Sequence, residues 1–375
     1  MKFEKWTLGL AAVGAISLAS VAQAEEMNAV QTALSGTTIS GYVDTSAHWN
    51  WGRGTLVPNI KFNEGKADGF NLNVVQLSVA KPLDETDWAA GYKVDLWMGP
   101  DAQVLNTGSR WGTWQDFAIR QAYVALRVPF QNGIDLKMGV FDTIIGYESL
   151  ESGNNPNYTR SYGHSIEPQT HTGLLATYRL NDYICASAGV ANTIDPMING
   201  RSGKSESYKA YMGSIALTAP EEWGWIEGST LYGGVVKGTE EGDNETITSW
   251  YTGLTLATPV TGLKLGAAYD YRHANDGPDA WTAALYASYQ ATEKLSLHAR
   301  GEYLRDKTGN WAWLEGTEAG QIWAATLTAQ YDLWQNVISR AEFRWDNSNT
   351  SMFGRAPTGN RHNAYMLAAN VIYKF

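Results

Sequence analysis

Asn363 to Phe375 reads NAYMLAANVIYKF, with apolar and polar side chains in alternation up to a terminal aromatic residue. One parity carries a continuous apolar set: Tyr365, Leu367, Ala369, Val371, Tyr373 and Phe375. Successive side chains of a strand point to opposite faces, so one face of this segment is apolar and the other carries Asn370 and Lys374. About 11 residues is the length that a tilted strand needs to cross a bilayer. We therefore expect an all-β fold, a transmembrane antiparallel β-barrel, that this segment closes.

The same alternation recurs along the chain from Thr37 onward. About sixteen runs start near positions 37, 69, 87, 115, 133, 169, 182, 207, 228, 245, 263, 279, 294, 320, 336 and 361. The breaks between runs alternate in length: residues 143–168 form the longest break, whereas 130–132 and 181–182 are tight. Transmembrane barrels have long extracellular loops, short periplasmic turns and, in bacteria, an even strand number. The pattern predicts about 16 strands with both termini on the periplasmic side.

In the later runs, one face of each predicted strand is apolar and the other is polar or charged. Leu295, Leu297 and Tyr303 alternate with Ser296, His298, Arg300 and Glu302. A row of ions on one face also fits the solvated side of a soluble sheet. The apolar faces end in Trp or Tyr, however, as the interfacial girdles of membrane barrels do. We therefore expect the charged rows to face a water-filled lumen.

The chain begins with the layout of a secretory signal peptide. Lys2 and Lys5 form a charged start, residues 6–19 form an apolar stretch, and Ala22-Gln23-Ala24 is a small-x-small cleavage site. The apolar stretch is shorter than the roughly 20 residues that a membrane helix needs. We expect a signal peptide at 1–24, a short periplasmic lead at 25–36 and one outer-membrane barrel domain at 37–375.

Charge and cysteine content narrow the class further. The formal net charge is −10 at pH 7, and removing Lys2, Glu4 and Lys5 leaves about −11 (−10 minus +1). Binding to nucleic acid requires a basic face, so no nucleic-acid partner is expected. Cys185 is the only cysteine and cannot form an internal disulfide. A large closed sheet is one way for such an exported chain to be stable without a disulfide.

The inward parity carries more basic than acidic side chains. The basic pore-lining candidates are Lys93, Arg120, Arg127, Lys137, Arg179, Lys209, Lys264, Arg272, Arg300, Arg340, Arg344 and Lys374. The acidic candidates are Asp44, Asp95, Asp135, Asp270, Glu302, Glu342 and Asp346, and His298 joins the same face. Fixed charges bias which ions enter a pore, so the wall favours anions, with Arg340 and Arg344 as its expected determinants. Acidic loops favour cations, and the sign of selectivity stays open at this point.

The longest break is a candidate constriction. The loop has glycines and prolines that bend the chain, and it carries the candidates Asp142, Tyr147, Glu148, Glu151, Tyr158, Arg160 and Tyr162. Two interpretations stand: an exposed loop without a special role, or a loop that folds into the lumen and packs its tyrosines against the wall. A sixteen-stranded wall is wide enough to leave an aqueous channel unless something folds inside.

No catalytic or metal-binding pattern stands out. The six histidines have no metal-ligand spacing, and no Gly-x-Ser-x-Gly is present. His164 and Ser165 are neighbours in a loop, which does not provide base-to-nucleophile geometry. We expect no enzyme activity, no cofactor and no metal. The alternatives are a structural or adhesion barrel with a narrowed or plugged lumen and, last, an outer-membrane hydrolase.

Several segments resemble a known family. They are Gly41 to Ser46 (GYVDTS), Phe70 to Ser78 (FNLNVVQLS), Tyr92 to Leu96 (YKVDL), Gln121 to Val124 (QAYV), Leu136 to Tyr162, and His171 to Tyr178. Together they are similar to the OmpL-like family of β-barrel porins of Gram-negative outer membranes. The match covers most of the mature chain and is densest from Gly41 to Tyr178.

The resemblance implies a channel for passive diffusion of small hydrophilic solutes and ions, and it supplies no catalytic residues. It also implies that the terminal aromatic strand, with Tyr373 and Phe375, is the signal read by the barrel-assembly machinery. Outer-membrane lipid and lipopolysaccharide are the expected surroundings. Association into a homotrimer is a further expectation.

Overall fold

The computed structural model describes residues 36–51, 64–84, 88–105, 107–108, 116–275, 277, 279–307, 320–353 and 361–375. The predicted signal peptide and, except for Gly36, the predicted lead lie outside these residues. Within them, no helix is long and apolar enough to cross a bilayer.

Sixteen antiparallel strands form one closed barrel in which each strand pairs with its sequence neighbours. The first eight are β1 Thr38–Trp51, β2 Gly69–Lys81, β3 Ala89–Met98, β4 Phe117–Val128, β5 Ile134–Asp142, β6 Thr170–Arg179, β7 Ile184–Ala191 and β8 Ala210–Thr218. The others are β9 Thr230–Gly238, β10 Ile247–Ala257, β11 Leu263–Ala274, β12 Asp279–Gln290, β13 Leu295–Asp306, β14 Gln321–Trp334, β15 Val337–Ser348 and β16 Asn363–Lys374. The predicted fold and strand number are confirmed.

β16 closes the barrel against β1, in a register that runs from Tyr42 opposite Lys374 to Trp51 opposite Tyr365. Gly41 and Phe375 extend this ladder, because each backbone N–H donates to the carbonyl of the other, at 2.9 and 3.0 Å. The start of each predicted run lies close to an observed strand. The largest difference is at β8, which was expected from Ser207 and begins at Ala210.

Burial along the strands is the reverse of a soluble protein's. Leu327 on β14 is 60% exposed and Trp323 is 56% exposed, whereas the next residue, Thr328, is 3% exposed. Large apolar side chains therefore face outward and polar ones face inward. Each strand needs lipid outside to bury that apolar face, as transmembrane barrels do.

The connections between strands follow the predicted alternation of long loops and short turns, with one exception at each end of the barrel. β14 and β15 are joined by a turn at residues 335–336, where Asn336 has φ of 68°, a conformation that Asn tolerates well. On the same side, residues 219–229 form a longer connection with a 3-10 helix at Glu221–Ile226. On the opposite side, β11 ends at Ala274 and β12 begins at Asp279, so the connection between them is short.

A β-bulge and a short helix shape the inner face near β3. Asp95 pairs with Gln121 and Leu96 with Ile119, which leaves Arg120 as an extra residue. Because a bulge changes the parity of a strand, Arg120 and Gln121 both turn inward and are buried. Helix α1, Pro100–Leu105, packs within the same part of the barrel through Ala102 and Leu105.

Candidate functional site

The connection between β5 and β6, residues 143–169, folds into the barrel, and we call it the lumen loop. It contains a 3-10 turn at Ser152–Asn154 and helix α2, Tyr162–Ile166. The Ser161 hydroxyl caps α2 by accepting a hydrogen bond from the N–H of His164 at 3.1 Å. Most side chains of the loop are buried. The interpretation as an exposed loop is therefore wrong.

Arginines of β13 and β15 bind the carbonyl groups of the lumen loop. Arg300 donates hydrogen bonds to the carbonyl oxygens of Thr159 at 2.8 Å and Arg160 at 3.1 Å. Arg344 donates to the same Arg160 carbonyl at 2.8 Å. Both arginine side chains are fully buried. Hydrogen bonds from a charged donor are about twice as strong as neutral ones, so these contacts hold the loop firmly.

Arg340 extends this row toward the first half of the loop. Its guanidinium donates to the carbonyl oxygens of Ser152 at 3.0 Å and Asn155 at 2.6 Å. Lys374 on β16 donates to the Gly153 carbonyl at 3.1 Å. The 3-10 turn of the loop is thus held by two neighbouring strands.

Carboxylates of the same strands bind the amide groups of the loop. Glu342 accepts hydrogen bonds from the N–H groups of Tyr158 at 2.6 Å and Thr159 at 2.9 Å. Glu302 accepts from the N–H of Tyr162 at 2.7 Å. Because these acceptors alternate with the arginine donors, the wall satisfies both polar groups of the loop backbone.

Two of the predicted tyrosines pack against the wall as expected. The Tyr162 hydroxyl donates to Asp346 at 2.7 Å, and the Arg344 guanidinium lies 5.0 Å from its ring centroid. Tyr158 shares a hydrogen bond of 2.9 Å with Ser46 of β1. The loop therefore contacts strands on both sides of the barrel closure.

Glu148 joins the start of the loop to its middle and to the wall. It forms an ion pair of 2.8 Å with Arg300 and accepts a hydrogen bond from the Tyr286 hydroxyl at 3.2 Å. It also accepts from the N–H of Ser161 at 2.9 Å. The Tyr147 ring stacks on Tyr286, with centroids 4.1 Å apart.

Arg120 is enclosed by acidic groups at the end of β5 and in the loop. Asp142 and Glu151 each lie 2.6 Å from its guanidinium, and Asp95 lies 3.5 Å away. The arginine side chain is 3% exposed, whereas Asp142 is 30% and Glu151 is 20% exposed. Water in the lumen therefore meets the carboxylates of this cluster rather than its cation.

Burial shifts the pKa of two titratable groups, one in α2 and one at its C-terminal end. Burial lowers the pKa of His164 to about 3, and the nearby Arg160 and Arg300 act in the same direction. Burial raises the pKa of Glu167 well above its usual value, and the neighbouring Asp270 carboxylate raises it further. The charged form of Glu167 is thus disfavoured where this end of the loop docks beside Asp270.

Apolar contacts complete the docking. Ile144 and Ile145 pack with inward residues of strands β6 to β12, and Leu150 packs in the cluster that contains α1. Tyr158, Tyr162 and Ile166 pack with inward residues of β12 to β16 and with Phe353. Because these clusters lie inside the barrel, the lumen at this level is largely filled.

The predicted wall charges divide into two groups by accessibility. Those at the level of the lumen loop are buried: Asp44, Asp95, Arg120, Asp270, Arg300, Glu302, Arg340, Glu342, Arg344 and Asp346. Those nearer the strand ends or outside the loop contacts keep part of their surface: Lys93, Arg127, Asp135, Lys137, Arg179, Lys264, Arg272, His298 and Lys374. Sequence parity indicates the face of a residue but not which of these groups it joins.

The prediction that Lys209 lines the pore wall is wrong. It precedes β8 rather than lying on it, and its ammonium group donates to the carbonyl oxygens of Glu206 and Tyr208, at 2.5 and 3.3 Å. It also shares the parity of Tyr211, which is 65% exposed and faces outward. The prediction placed the strand start too early, and Lys209 belongs to the loop.

The sequence reasoning missed several polar partners of the loop. Thr328 accepts a hydrogen bond from Asn157 at 2.7 Å, and Tyr232 binds the Ile144 carbonyl through its hydroxyl. Tyr232 and Tyr286 occupy inward positions on strands whose other inward residues are mostly small. Large aromatic side chains at inward positions of a strand indicate that a segment of the chain packs inside the lumen.

The neighbours His164 and Ser165 both lie on α2. Ser165 donates its hydroxyl hydrogen to the Ser161 carbonyl at 3.3 Å. Among the described residues, no group of His, Cys, Asp and Glu side chains is arranged to hold a metal ion. The polar groups of the site bind the loop backbone.

Residues 36–375 match the family described as "Putative beta-barrel porin-2, OmpL-like". No curated protein matches the chain.

Solved structures of outer-membrane channels share the fold at low sequence identity. An anion-selective porin from Comamonas acidovorans has a TM-score of 0.61 and 12% identity, covering 90% of this chain and 99% of that one. OmpF of Salmonella typhi, solved with daunomycin, has a TM-score of 0.61 and 13% identity, covering 90% and 97%. The channel DcaP of Acinetobacter baumannii has a TM-score of 0.58 and 13% identity, also covering 90% and 97%.

Proposed function

The chain belongs to the OmpL-like family of β-barrel porins and is an outer-membrane porin, and from this premise we propose how its channel works. Small hydrophilic solutes and ions diffuse through the lumen, and the lumen loop forms the narrowest section. The main support for a constriction at the lumen loop is that charged wall residues bind its backbone. These residues are Arg300, Glu302, Arg340, Glu342 and Arg344.

We propose that the water path runs beside the lumen loop along β3 to β7. Lys93 and Lys137 point inward there and are partly accessible, and Asp142 and Glu151 present carboxylates to the same space. Below the loop, Arg179 and Lys264 line the periplasmic side. A fixed constriction of this kind selects by size first, because the docked backbone cannot move aside without breaking charged hydrogen bonds.

The remaining parts of the proposal concern export and assembly. Residues 1–24 act as a cleaved signal peptide, and 25–36 form a periplasmic lead. Tyr373 and Phe375 are read by the barrel-assembly machinery, the apolar outer face meets lipid and lipopolysaccharide, and three copies associate as a homotrimer. We propose that transport proceeds without enzymatic chemistry, cofactor or metal.

A closed structural barrel is the second candidate, and one observation favours it. The apolar clusters around Ile144, Leu150 and Tyr158 fill much of the lumen at the level of the loop. A barrel sealed in this way would show no ion conduction. A measurement of ion conduction therefore distinguishes the porin from the closed barrel.

The test is single-channel conductance of the purified, folded protein in planar bilayers. The porin produces discrete steps, and replacing residues 149–165 with a short Gly-Ser linker enlarges them. Shortening the exposed connection at 219–229 is the matched control and leaves the step size unchanged. Folded protein without steps, or a loop replacement that leaves the steps unaltered, contradicts the proposal.

A further inference from the structure

We infer that the outer face of this porin carries a binding site for the phosphate groups of lipopolysaccharide, formed by Lys237 and Arg305 at the extracellular ends of β9 and β13. The inference rests on the proposed contact between the outer face and lipopolysaccharide, and it gives that contact a location and a chemistry. It does not depend on ion flow through the lumen.

Outward positions of the strands are almost free of charged side chains. Lys237 and Arg305 are exposed, whereas the residues on either side of each are buried, so both side chains point away from the lumen. The other Lys, Arg, Asp or Glu residues at outward strand positions are Lys81, the last residue of β2, and Asp279, the first residue of β12. A charge that faces lipid is costly at the bilayer midplane and tolerated near the interfaces. The ends of β9 and β13 therefore lie at the level of the lipid head groups.

The two cations have no partner within the described part of the chain. The side chains of Lys237 and Arg305 form no ion pair or hydrogen bond with any residue that the structure describes. Asp279, on a strand between them, is occupied by other groups: its carboxylate lies 3.3 Å from the ammonium group of Lys307 and 3.7 Å from Nδ1 of His273. Lys307 and Asp279 thus cancel each other, and the charges of Lys237 and Arg305 are left for an external anion.

The loops beyond these strands carry more acidic than basic side chains. The acidic residues in the loops after β7 and β9 are Asp195, Glu206, Glu240, Glu241, Asp243 and Glu245, and the basic ones are Arg201, Lys204 and Lys209. Glu240 pairs with Arg272 at 2.6 Å, and Asp195 accepts a hydrogen bond from the N–H of Glu241 at 2.6 Å. None of these acids pairs with Lys237 or Arg305 in the described structure. Their negative charge lies beyond the strand ends, whereas the two cations lie on the strands.

Aromatic rings lie directly beneath Arg305, on the side toward the middle of the membrane. Tyr269, Trp281, Tyr303 and Trp323 form a continuous row on the outer face, with successive ring centroids 5.9, 5.0 and 4.5 Å apart. Tyr303 precedes Arg305 by two residues on the same face of β13. Trp and Tyr are enriched at the membrane–water interface, at the level of the head groups. The row therefore places Arg305 in the head-group layer of the extracellular leaflet.

A groove of about 470 Å³ opens beside Lys237 on the outer face. Tyr211, Lys237 and His273 line its extracellular end, and Val235 and Trp250 line the part nearer the middle of the membrane. A cation thus lies at the rim of the groove, and apolar side chains lie below it. This arrangement suits an amphiphile with an anionic head group and an acyl chain.

Lipopolysaccharide is the occupant that fits this surface. It is the lipid of the extracellular leaflet, and it carries several phosphate groups on a sugar head above its acyl chains. Lys and Arg bind phosphate through charge-assisted hydrogen bonds, and Arg does so with two parallel N–H groups. Lys237 and Arg305 are four strands apart, about 19 Å at about 4.8 Å per strand, which a head group with several phosphates can span. A second copy of the chain offers no matching anion on its strands, because the outward acid there, Asp279, is already paired.

The experiment is the binding of fluorescently labelled lipopolysaccharide to the purified, folded porin in detergent, followed by fluorescence anisotropy. One Lys or Arg near an anionic lipid surface contributes about 1 kcal/mol, which is about fivefold in affinity. The double variant Lys237→Gln/Arg305→Gln should therefore bind about 25-fold more weakly than the wild-type protein. The control Lys81→Gln/Lys294→Gln removes the same charge from the periplasmic end of the barrel and should keep wild-type affinity. The charge-conserving variant Lys237→Arg/Arg305→Lys should keep it too.

A second comparison separates the phosphate groups from the acyl chains. Lipopolysaccharide from which the phosphates have been removed should bind the wild-type porin as weakly as the intact lipid binds the double variant. Val235→Trp, which fills the groove without changing its charge, should weaken binding of the intact lipid several-fold.

Four results overturn the inference. They are a folded double variant with wild-type affinity, an equal loss in the periplasmic control, equally tight binding of the dephosphorylated lipid, and loss of association between copies of the double variant with unchanged lipid binding. The last result would make this face a contact between subunits. A wild-type porin that binds no lipopolysaccharide contradicts the proposed lipid contact itself. Conductance in bilayers without lipopolysaccharide tests the channel separately, so these failures are distinguishable.

Discussion

Arg300 of β13 and Glu148 of the lumen loop form an ion pair of 2.8 Å in which neither side chain is more than 1% exposed. The same guanidinium also binds Glu302 and the carbonyl groups of Thr159 and Arg160. One wall residue thus connects the beginning and the middle of the loop. We therefore expect this contact to dominate the position of the constriction.

Replacing Arg300 with Met should enlarge the channel. The change leaves Glu148 buried without its cation and Glu302 with only Arg344, at 3.5 Å. Breaking a buried pair in this way costs about 3–5 kcal/mol. The loop should leave the wall more often, so single-channel conductance and the rate of proteolysis within residues 149–165 should both rise. Lys81→Met, at the periplasmic end of β2, is the control, because it removes a cation from an outward position. Unchanged conductance in a folded Arg300→Met barrel would show that the apolar clusters alone hold the loop.

Conductance should increase as pH rises, because of Glu167. Burial and the neighbouring Asp270 carboxylate raise the pKa of Glu167 in the docked loop. The docked state therefore binds its proton more tightly than a solvated loop does, so docking is favoured at low pH and weakens as pH rises through the raised pKa. Conductance measured from acidic to alkaline pH should show this opening. Glu167→Gln, which remains neutral, should flatten the profile, whereas the exposed control Glu221→Gln should keep it.

Cys185 provides a natural probe of the lumen. It faces inward on β7, directly opposite Arg179 on β6, and is partly accessible. Membrane-impermeant thiol reagents should therefore modify it and lower the conductance. An anionic methanethiosulfonate should react several-fold faster than a cationic one, since Arg179 attracts the anion, and Arg179→Gln should remove the difference. Cys185→Ser controls for reaction at other sites, and equal rates for both reagents in the wild-type protein would contradict the predicted local field.

Deleting Phe375 should impair assembly more than conduction. The residue donates and accepts the last backbone hydrogen bonds between β16 and Gly41, and its ring is half exposed on the outer face. Its loss frays the closing ladder and removes an aromatic anchor at the membrane interface. The folded fraction in membranes, scored by heat-modifiable gel migration, should fall, while the channels that do form keep wild-type conductance. Deleting Glu25 of the predicted lead is the matched control.

Much of the barrel was predictable because strand geometry has a short period. Alternation in residues such as Leu295 to Tyr303 requires only local information, and an even number of strands allows the first and last strands to pair antiparallel. The inward direction of Arg300, Arg340 and Arg344 was predictable on the same ground. The prediction that Lys209 lines the wall was wrong because strand boundaries depend on where the hydrogen-bond ladder ends, which the local pattern does not show.

The sequence by itself determined the period-two pattern, the strand number and the medium on each face, since these depend on side chains near in the chain and on the solvent they meet. Only the tertiary structure decided that residues 143–169 fold into the lumen, which buries Arg340 and Arg344 and leaves Arg179 and Lys264 accessible. The physical reason is distance along the chain. Glu342 and Tyr158 are 184 residues apart, and no local pattern records that the carboxylate of one accepts a hydrogen bond from the backbone of the other.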